Sequence, residues 1–366
     1  MDHFSIITVV PRLPPAIDGV GDYALNLARQ LRQDFNIHTQ FVVGDPTWEG
    51  PSQIQEFPVH RVNRCSSKVF ISVLERLDAS ALLLNYVGYG YAKRGCPFWL
   101  KEGLQCWKTT LLDRILVTMF HEAYASGPPW TSAFWLSSSQ KQIVTQILRQ
   151  SDASVASNHI VAQILNRLQS INNYASEICP IFSSVGEPEH PLPLLSRPRR
   201  LVVFGTRSVR KRSYERGRER LQKLCRDLAI EEIYDIGTPL DLNISQLVNL
   251  PIKVMGVRTS AEISILLSQA VAGFTDYPTE LLAKSSIFAA FCAHRVVPVI
   301  STRSKLCQAD GLEAGTHYWK PDVQDKHLTI VNAQAIADKA FAWYQTHNLA
   351  AQAKTFNRLL RLHKQT

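Results

Sequence analysis

The sequence predicts an α/β protein built from two doubly wound parallel-sheet domains of similar size. Three observations predict it. Short β-rich runs alternate with helix-period runs along nearly the whole chain, the pattern of a parallel sheet covered on both faces. A length of 366 residues suits two domains better than one. The alternation breaks once, in the proline-rich stretch 187–200, and then begins again.

In the first half, Ser5–Val10 reads as a strand, followed by a loop with Pro11, Pro14 and Pro15 and then Gly19-Val20-Gly21. A helix follows, with Ala24, Leu27, Ala28 and Leu31 on one face. Thr39–Val43 and Ala81–Asn85 are the next strands, with a helical run Val69–Leu77 between them. Arg114–Phe120 is a fourth strand and ends at His121-Glu122. Gln140–Arg149 reads as helix, Ala153–Ser157 as a short strand and Ile160–Ser170 as helix. In the second half, Leu201–Phe204, Ile233–Ile236, Ile252–Met255, Ala270–Thr275 and Val296–Ile300 are strands. Thr259 and Glu262 have the spacing of a capping box, and Ile287–Ala293 is an apolar helix.

Composition narrows the class. Hydrophobic residues at 45% and charged residues at 19% exclude a disordered or fibrous chain. No run approaches the roughly 18 apolar residues that a spanning helix needs. The start of the chain lacks the basic flank of a secretory leader, and seven cysteines without a CxxC pair fit reduced thiols. A cytoplasmic setting is therefore expected. The net charge of +9 is concentrated: residues 197–226 carry +10, so the remainder carries −1. Such a block suits phosphate-bearing ligands, an anionic membrane or nucleic acid, or else a solvated helix face. Only Tyr214 interrupts it, which is no base-stacking ladder, so nucleic acid is not expected as a partner.

Candidate site residues fall at the carboxyl ends of strands, where doubly wound folds bind ligands. Gly19, Gly21 and Asp22 lie between a strand and a helix start. His121 ends the fourth strand. Gly205, Arg207 and Lys211 follow the first strand of the second half, where cations beside a glycine suit a diphosphate. Glu280, Lys284, Ser285 and Ser286 precede the apolar helix, whose free amides make a second anion site. No histidine or cysteine spacing is that of a bound metal, so no metal and no resident cofactor are expected.

These residues, with Met255-Gly256-Val257 through Ala272-Gly273-Phe274 and with Pro298-Val299-Ile300, make the chain resemble the GT-B glycosyltransferases of the family 4 type over nearly its full length. The resemblance implies two Rossmann-like domains facing a central cleft. It divides the chain into an acceptor-side domain at 1–186, a linker at 187–200, a nucleotide-sugar domain at 201–346 and a C-terminal helix at 347–366 that crosses back to the first domain. It further implies transfer of a sugar from a nucleotide-diphosphate sugar to a hydroxyl of a glycan or lipid-linked acceptor, with retention and without a metal, as in polysaccharide biosynthesis. Arg207, Lys211, Lys284, Ser285 and Ser286 would then face the diphosphate, Glu280 the donor sugar, His121 the sugar or acceptor hydroxyl, and Gly19, Gly21 and Asp22 the acceptor. Peripheral contact with the inner membrane face is compatible with the basic block. Three positions depart from the family pattern. Phe288 stands where a second glutamate eight residues after Glu280 is usual. Arg207 and Lys211 are four apart instead of five. Lys284-Ser285-Ser286 has no counterpart. A GT-B module that binds a nucleotide or partner without catalysis is the alternative these departures favour.

Overall fold

A computed structural model of the chain describes residues 4–111, 113–169, 175–244, 250–323 and 327–362. They form two compact units, one made of residues 1–180 with 349–366 and the other of residues 181–348.

The first unit contains strands β1 (Phe4–Val10), β2 (Ile37–Val43), β3 (Gln53–Ile54), β4 (Phe57–Arg61), β5 (Ala81–Tyr86), β6 (Ile115–Phe120), β7 (Ala153–Ala156) and β8 (Glu177–Ile178). They lie in the order β3-β4-β2-β1-β5-β6-β7-β8, parallel except for the β3–β4 pair. Helices α1 (Gly19–Phe35), α2 (Ser67–Leu74), α3 (Gly88–Tyr91), α4 (Phe98–Thr110), α5 (Ser132–Gln150) and α6 (His159–Leu168) supply the connections. Every residue of β5 and β6 is buried, as a strand covered on both faces requires. The core gathers Ile7, Val9, Leu82, Leu84, Leu116 and Phe120 with Trp107 and Ile143 from the helices. The sequence order reverses between β1 and β5, which is where such a sheet opens a ligand crevice at its carboxyl edge.

The second unit has strands β9 (Arg200–Phe204), β10 (Glu232–Ile236), β11 (Ile252–Gly256), β12 (Ala272–Asp276) and β13 (Val297–Ser301), in the all-parallel order β11-β10-β9-β12-β13. A hairpin of β14 (Gln308–Ala309) and β15 (Leu312–Glu313) stands apart. Its helices are α7 (Arg207–Glu215), α8 (Arg218–Asp227), α9 (Ser260–Ser268), α10 (Ser286–Ala293) and α11 (Ile330–Gln345). The reversal here falls between β9 and β12, so Gly205 and Asp276 flank the crevice position. The capping box of Thr259 and Glu262 forms as its spacing requires. Residues 187–200 belong to this unit, and Arg197 is nailed into it by bonds from its guanidinium to the carbonyls of Leu192, Ala270 and His294.

The last helix, α12 (Leu349–Leu360), belongs to the first unit and packs on α1. Ala353, Phe356 and Leu360 are its buried stripe. Gln352 lies inside it as well, accepting from the Tyr23 hydroxyl at 2.7 Å and donating to the Pro180 carbonyl at 2.5 Å.

Several elements differ from the sequence expectation. Strand β4 contains Pro58, which argues against a strand in sequence but is tolerated near a sheet edge. Helix α4 carries Gly103 in its interior, where a Cβ would meet the Phe70 ring at 2.4 Å. Helix α5 begins eight residues before the expected Gln140, because its first two turns are only thinly buried. Ser170, the expected end of α6, lies outside the described residues.

Candidate functional site

The candidate residues of the second unit lie on the segments that follow the neighbouring strands β9 and β12. Gly205 has a φ of +123°, a conformation that strains any residue with a Cβ. A Cβ there would lie 2.4 Å from Ile287 Cδ1, in the first turn of α10. The turn after β9 therefore presses directly on the start of α10, and the two segments expected to hold anions are neighbours. Helix α7 starts at Arg207 with no side chain capping its amides, leaving that N-terminus open to an acceptor. At α10 the Ser285 hydroxyl is engaged instead: it caps the helix by accepting from Phe288 N at 3.2 Å. Ser285 is thus fixed as a structural cap, and what remains for a ligand is the first-turn amides, with Lys284 and Ser286 half-buried beside them.

Glu280 sits in the 3₁₀ turn Thr279–Lys284 after β12. Its Oε2 atom is buried and has no hydrogen-bond partner among the described residues. An acceptor held out of water without a donor is costly, and a hydroxyl donor would satisfy it. Arg207 is half-exposed and pairs with the exposed Asp241, an arrangement water screens and an anion can displace. Lys211 lies one turn further on the same helix, with Glu215 at 3.6 Å on the exposed surface.

Two departures are explained by packing. Phe288 is fully buried and sets its ring against Tyr318 and Trp343, at centroid distances of 6.4 and 5.9 Å. A core side chain, not a ligand group, occupies the position of the second glutamate. The five-residue spacing from Arg207 leads to Arg212, whose Nε lies 3.6 Å from Asp276 Oδ1 at the end of β12. Burial raises the Asp276 carboxyl, and the charges of Arg212, Arg216 and Arg220 pull against that rise. Arg212 is the cation that sequence reasoning passed over, although the spacing pointed to it.

The basic block is not one free surface. Arg197 and Arg210 are buried, Arg200 pairs with Glu232, Arg220 with Asp322 and Lys223 with Asp227. Most of its charge is thus spent inside the unit, against nearby carboxylates and carbonyls.

In the first unit, the loop after β1 contradicts a simple anion cradle. The Asp18 carboxylate itself accepts from the amides of Val20 and Gly21, at 2.9 and 3.0 Å. Gly21 is required for contact, since a Cβ would lie 2.2 Å from the Arg12 carbonyl oxygen, whereas Gly19 borders open space. Asp22 is pushed up to about 6, by burial first and by the Asp18 charge second. His121 follows β6, is 7% exposed, and has its Nε2 3.2 Å from Asn85 Oδ1 and its ring edge-on to Tyr23. The Asn85 and Asn158 side-chain nitrogens are both buried without an acceptor among the described residues. Asn85 is the penultimate residue of β5 and Asn158 follows β7, so both stand with His121 at the carboxyl edge of the sheet. Polar residues closing apolar strands were the signal for both asparagines.

No group of metal-ligating side chains occurs among the described residues, and no helix there is long and apolar enough to cross a membrane. No protein-family model matches the sequence, and no curated protein is similar to it. Solved structures are similar over almost the whole chain. TarM superposes with a TM-score of 0.66 at 10% identity, covering 99% of each chain. An alpha-glucosyltransferase in complex with UDP and a 13-mer DNA gives 0.60 at 9% identity, covering 99% of this chain and 100% of that one. WaaG, a glycosyltransferase involved in lipopolysaccharide biosynthesis, gives 0.59 at 10% identity, covering 97% and 99%. The fold is therefore GT-B, with a Rossmann-like sheet in each unit.

Proposed function

We propose that this chain is a glycosyltransferase of the family 4 type, which moves a sugar from a nucleotide-diphosphate sugar to an acceptor hydroxyl of a glycan or lipid-linked chain. The observation that carries the reading is the unpartnered, buried Glu280 Oε2, one 3₁₀ turn before α10, whose first turn packs on Gly205. A donor sugar hydroxyl would satisfy that oxygen, and the diphosphate beside it would meet the open amides of α7 and α10. Arg207, with Lys211 and Lys284 outside it, would offset the charge that grows on the β-phosphate as the nucleotide departs. The neighbours whose names include UDP or glycosyl transfer support the donor class.

On the first unit, His121 and the buried amides of Asn85 and Asn158 offer polar groups to the sugar or the acceptor. Asp22, with a carboxyl near 6, offers a group that can take a proton close to neutral pH. Retention and independence of metal belong to the same proposal, as does a soluble or peripheral life at the inner membrane face.

One observation favours a second reading, a nucleotide-binding module without catalysis: Phe288 is locked in the core and cannot be the missing carboxylate. A similar protein fold also serves other chemistry on nucleotide sugars, as a UDP-N-acetylglucosamine 2-epimerase of 9% identity illustrates. A thermal-shift screen of nucleoside diphosphates and their sugars, followed by mass detection of donor consumption with glycan acceptors, separates the readings. Stabilisation with consumption supports transfer. Stabilisation without consumption supports the inactive module, and no stabilisation by any nucleotide contradicts both.

A further inference from the structure

His121 is held from two directions. Its Nε2 lies 3.2 Å from Asn85 Oδ1, an oxygen that only accepts, so Nε2 carries the proton of the neutral ring. The Tyr23 ring stands against it at a centroid distance of 5.0 Å and an angle of 84°. The backbone is fixed as well: His121 N donates to the Tyr86 carbonyl, and the Ser157 hydroxyl donates to the His121 carbonyl. Two side-chain torsions are left to set, and the Asn85 amide and the Tyr23 ring set them.

Tyr23 is itself anchored from the far end of the chain. A buried phenol needs a partner, and its hydroxyl donates to Gln352 Oε1 at 2.7 Å, 329 positions away. Gln352 is buried too, and its Nε2 donates to the Pro180 carbonyl at 2.5 Å. With both ends of the amide engaged, Gln352 presents its oxygen to Tyr23 in one orientation. The packing of α12 does not call for this polar pair. Ala353, Phe356, Leu359 and Leu360 already form an apolar stripe, and apolar groups of the same shape can replace a buried hydrogen-bonded pair at little cost. What the pair adds is direction. It fixes a ring, and that ring fixes His121.

We infer that Tyr23 and Gln352 are positioning residues for glycosyl transfer. Gln352 holds Tyr23, and Tyr23 holds the His121 imidazole in a single orientation with its proton on Nε2. This role rests on the one proposed above for His121. It gives α12 a part in the chemistry beyond completing the first unit.

Nitrogen NMR of the full chain with 15N-labelled histidine reads the ring directly, and His121→Ala identifies its signals among the eleven histidines. At mildly alkaline pH the parent should show one His121 species, protonated on Nε2. Tyr23→Leu removes the ring and should give a mixture of both tautomers. Tyr23→Phe and Gln352→Leu break only the anchor, and each should shift the same signals toward that mixture. Where Tyr23→Leu does not fold, Tyr23→Phe carries the comparison. Phe356→Leu loosens α12 without touching the pair, so it should lower the melting temperature and leave the His121 signals unchanged. Donor consumption is the second readout. Tyr23→Phe and Gln352→Leu should each lower kcat about tenfold, with KM for the donor unchanged and no further loss in the double variant. In a His121→Ala background neither should lower kcat again. Four results would overturn the inference: one unchanged His121 species in Tyr23→Leu or Tyr23→Phe, a mixture already in the parent, a mixture in Phe356→Leu, or equal losses of kcat with and without His121. The NMR arm needs no donor. A parent that consumes none would overturn the transferase reading, while the ring signals still decide whether Tyr23 and Gln352 hold His121.

Discussion

Arg210 and Asp235 form an ion pair with both side chains fully buried, beneath the loops that follow β9 and β10. Arg210 Nε donates to Asp235 Oδ2 at 3.1 Å, and its Nη1 donates to the Thr238 carbonyl at 2.7 Å. One arginine thereby ties α7 to the loop that carries Asp241, the partner of Arg207. Removing one partner of a buried pair strands the other charge, which typically costs about 3–5 kcal/mol. Arg210→Met should therefore lower unfolding stability by about that amount in urea titrations, while Arg218→Ala on the exposed side stays within about 0.5 kcal/mol of the parent.

Asp22 should make the protein sensitive to pH in a definite direction. Its carboxyl is raised from 3.8 to about 6 in the folded chain, so the folded state holds a proton that the unfolded state releases earlier. Between those two values the folded state binds more protons, and stability falls as pH rises. Asp22→Asn removes this dependence. The variant should melt about 2–4 °C above the parent at pH 8, the shift that roughly 1 kcal/mol gives in a domain of this size. At pH 4 the two should coincide. A constant difference across the pH range would show that the carboxyl is not perturbed.

Phe288 offers a test of why the usual second glutamate is missing. Because its ring packs against Tyr318 and Trp343, Phe288→Glu would place an unpaired carboxylate in the core. We expect a loss of more than about 3 kcal/mol and no gain in nucleotide affinity. Ser285→Ala at the adjacent cap should cost about 1 kcal/mol, with Ser285→Thr restoring most of it. Chemical denaturation of the three variants reads both effects.

How much of this was legible in the sequence depended on what each residue had to satisfy locally. Strands β1, β5, β6, β9, β12 and β13 are apolar runs buried on both faces, and such runs announce themselves. The capping box at Thr259 is equally local. Gly205 was found because a strand, a glycine and a cation followed one another. Gly21 was singled out for the acceptor-side loop, and the fold adds what the sequence could not show, the Arg12 carbonyl against it and the Asp18 carboxylate on its amide. The basic block looked like a surface because charge counts ignore partners. Asp235, Glu232, Asp322 and the carbonyl of His294 come from distant segments, and they absorb Arg210, Arg200, Arg220 and Arg197. The same distance hid Arg212, whose partner Asp276 closes a strand 64 residues later.

His121 can be separated from a merely structural histidine. Its Nε2 contact to Asn85 Oδ1 places it in a polar group at the carboxyl edge of the first sheet. His121→Ala should lower donor consumption by at least about a hundredfold, the scale of a lost acid–base or orienting group, with nucleotide affinity unchanged. Loss of activity in step with a falling melting temperature would assign it to stability alone.

The central claim is a diphosphate site on the second unit, and calorimetric titration with nucleoside diphosphates tests it most directly. Arg207→Ala should weaken binding at least about tenfold at an unchanged melting temperature, since a hydrogen bond to a charged group is worth roughly 1.5–3 kcal/mol. Lys211→Ala should weaken it less, because Lys211 lies one turn further from the uncapped start of α7 than Arg207 does. Arg218→Ala, in the same basic block but on α8, should leave it unchanged. Equal weakening by Arg207→Ala and Arg218→Ala would mean diffuse attraction to a basic surface, and would contradict the site.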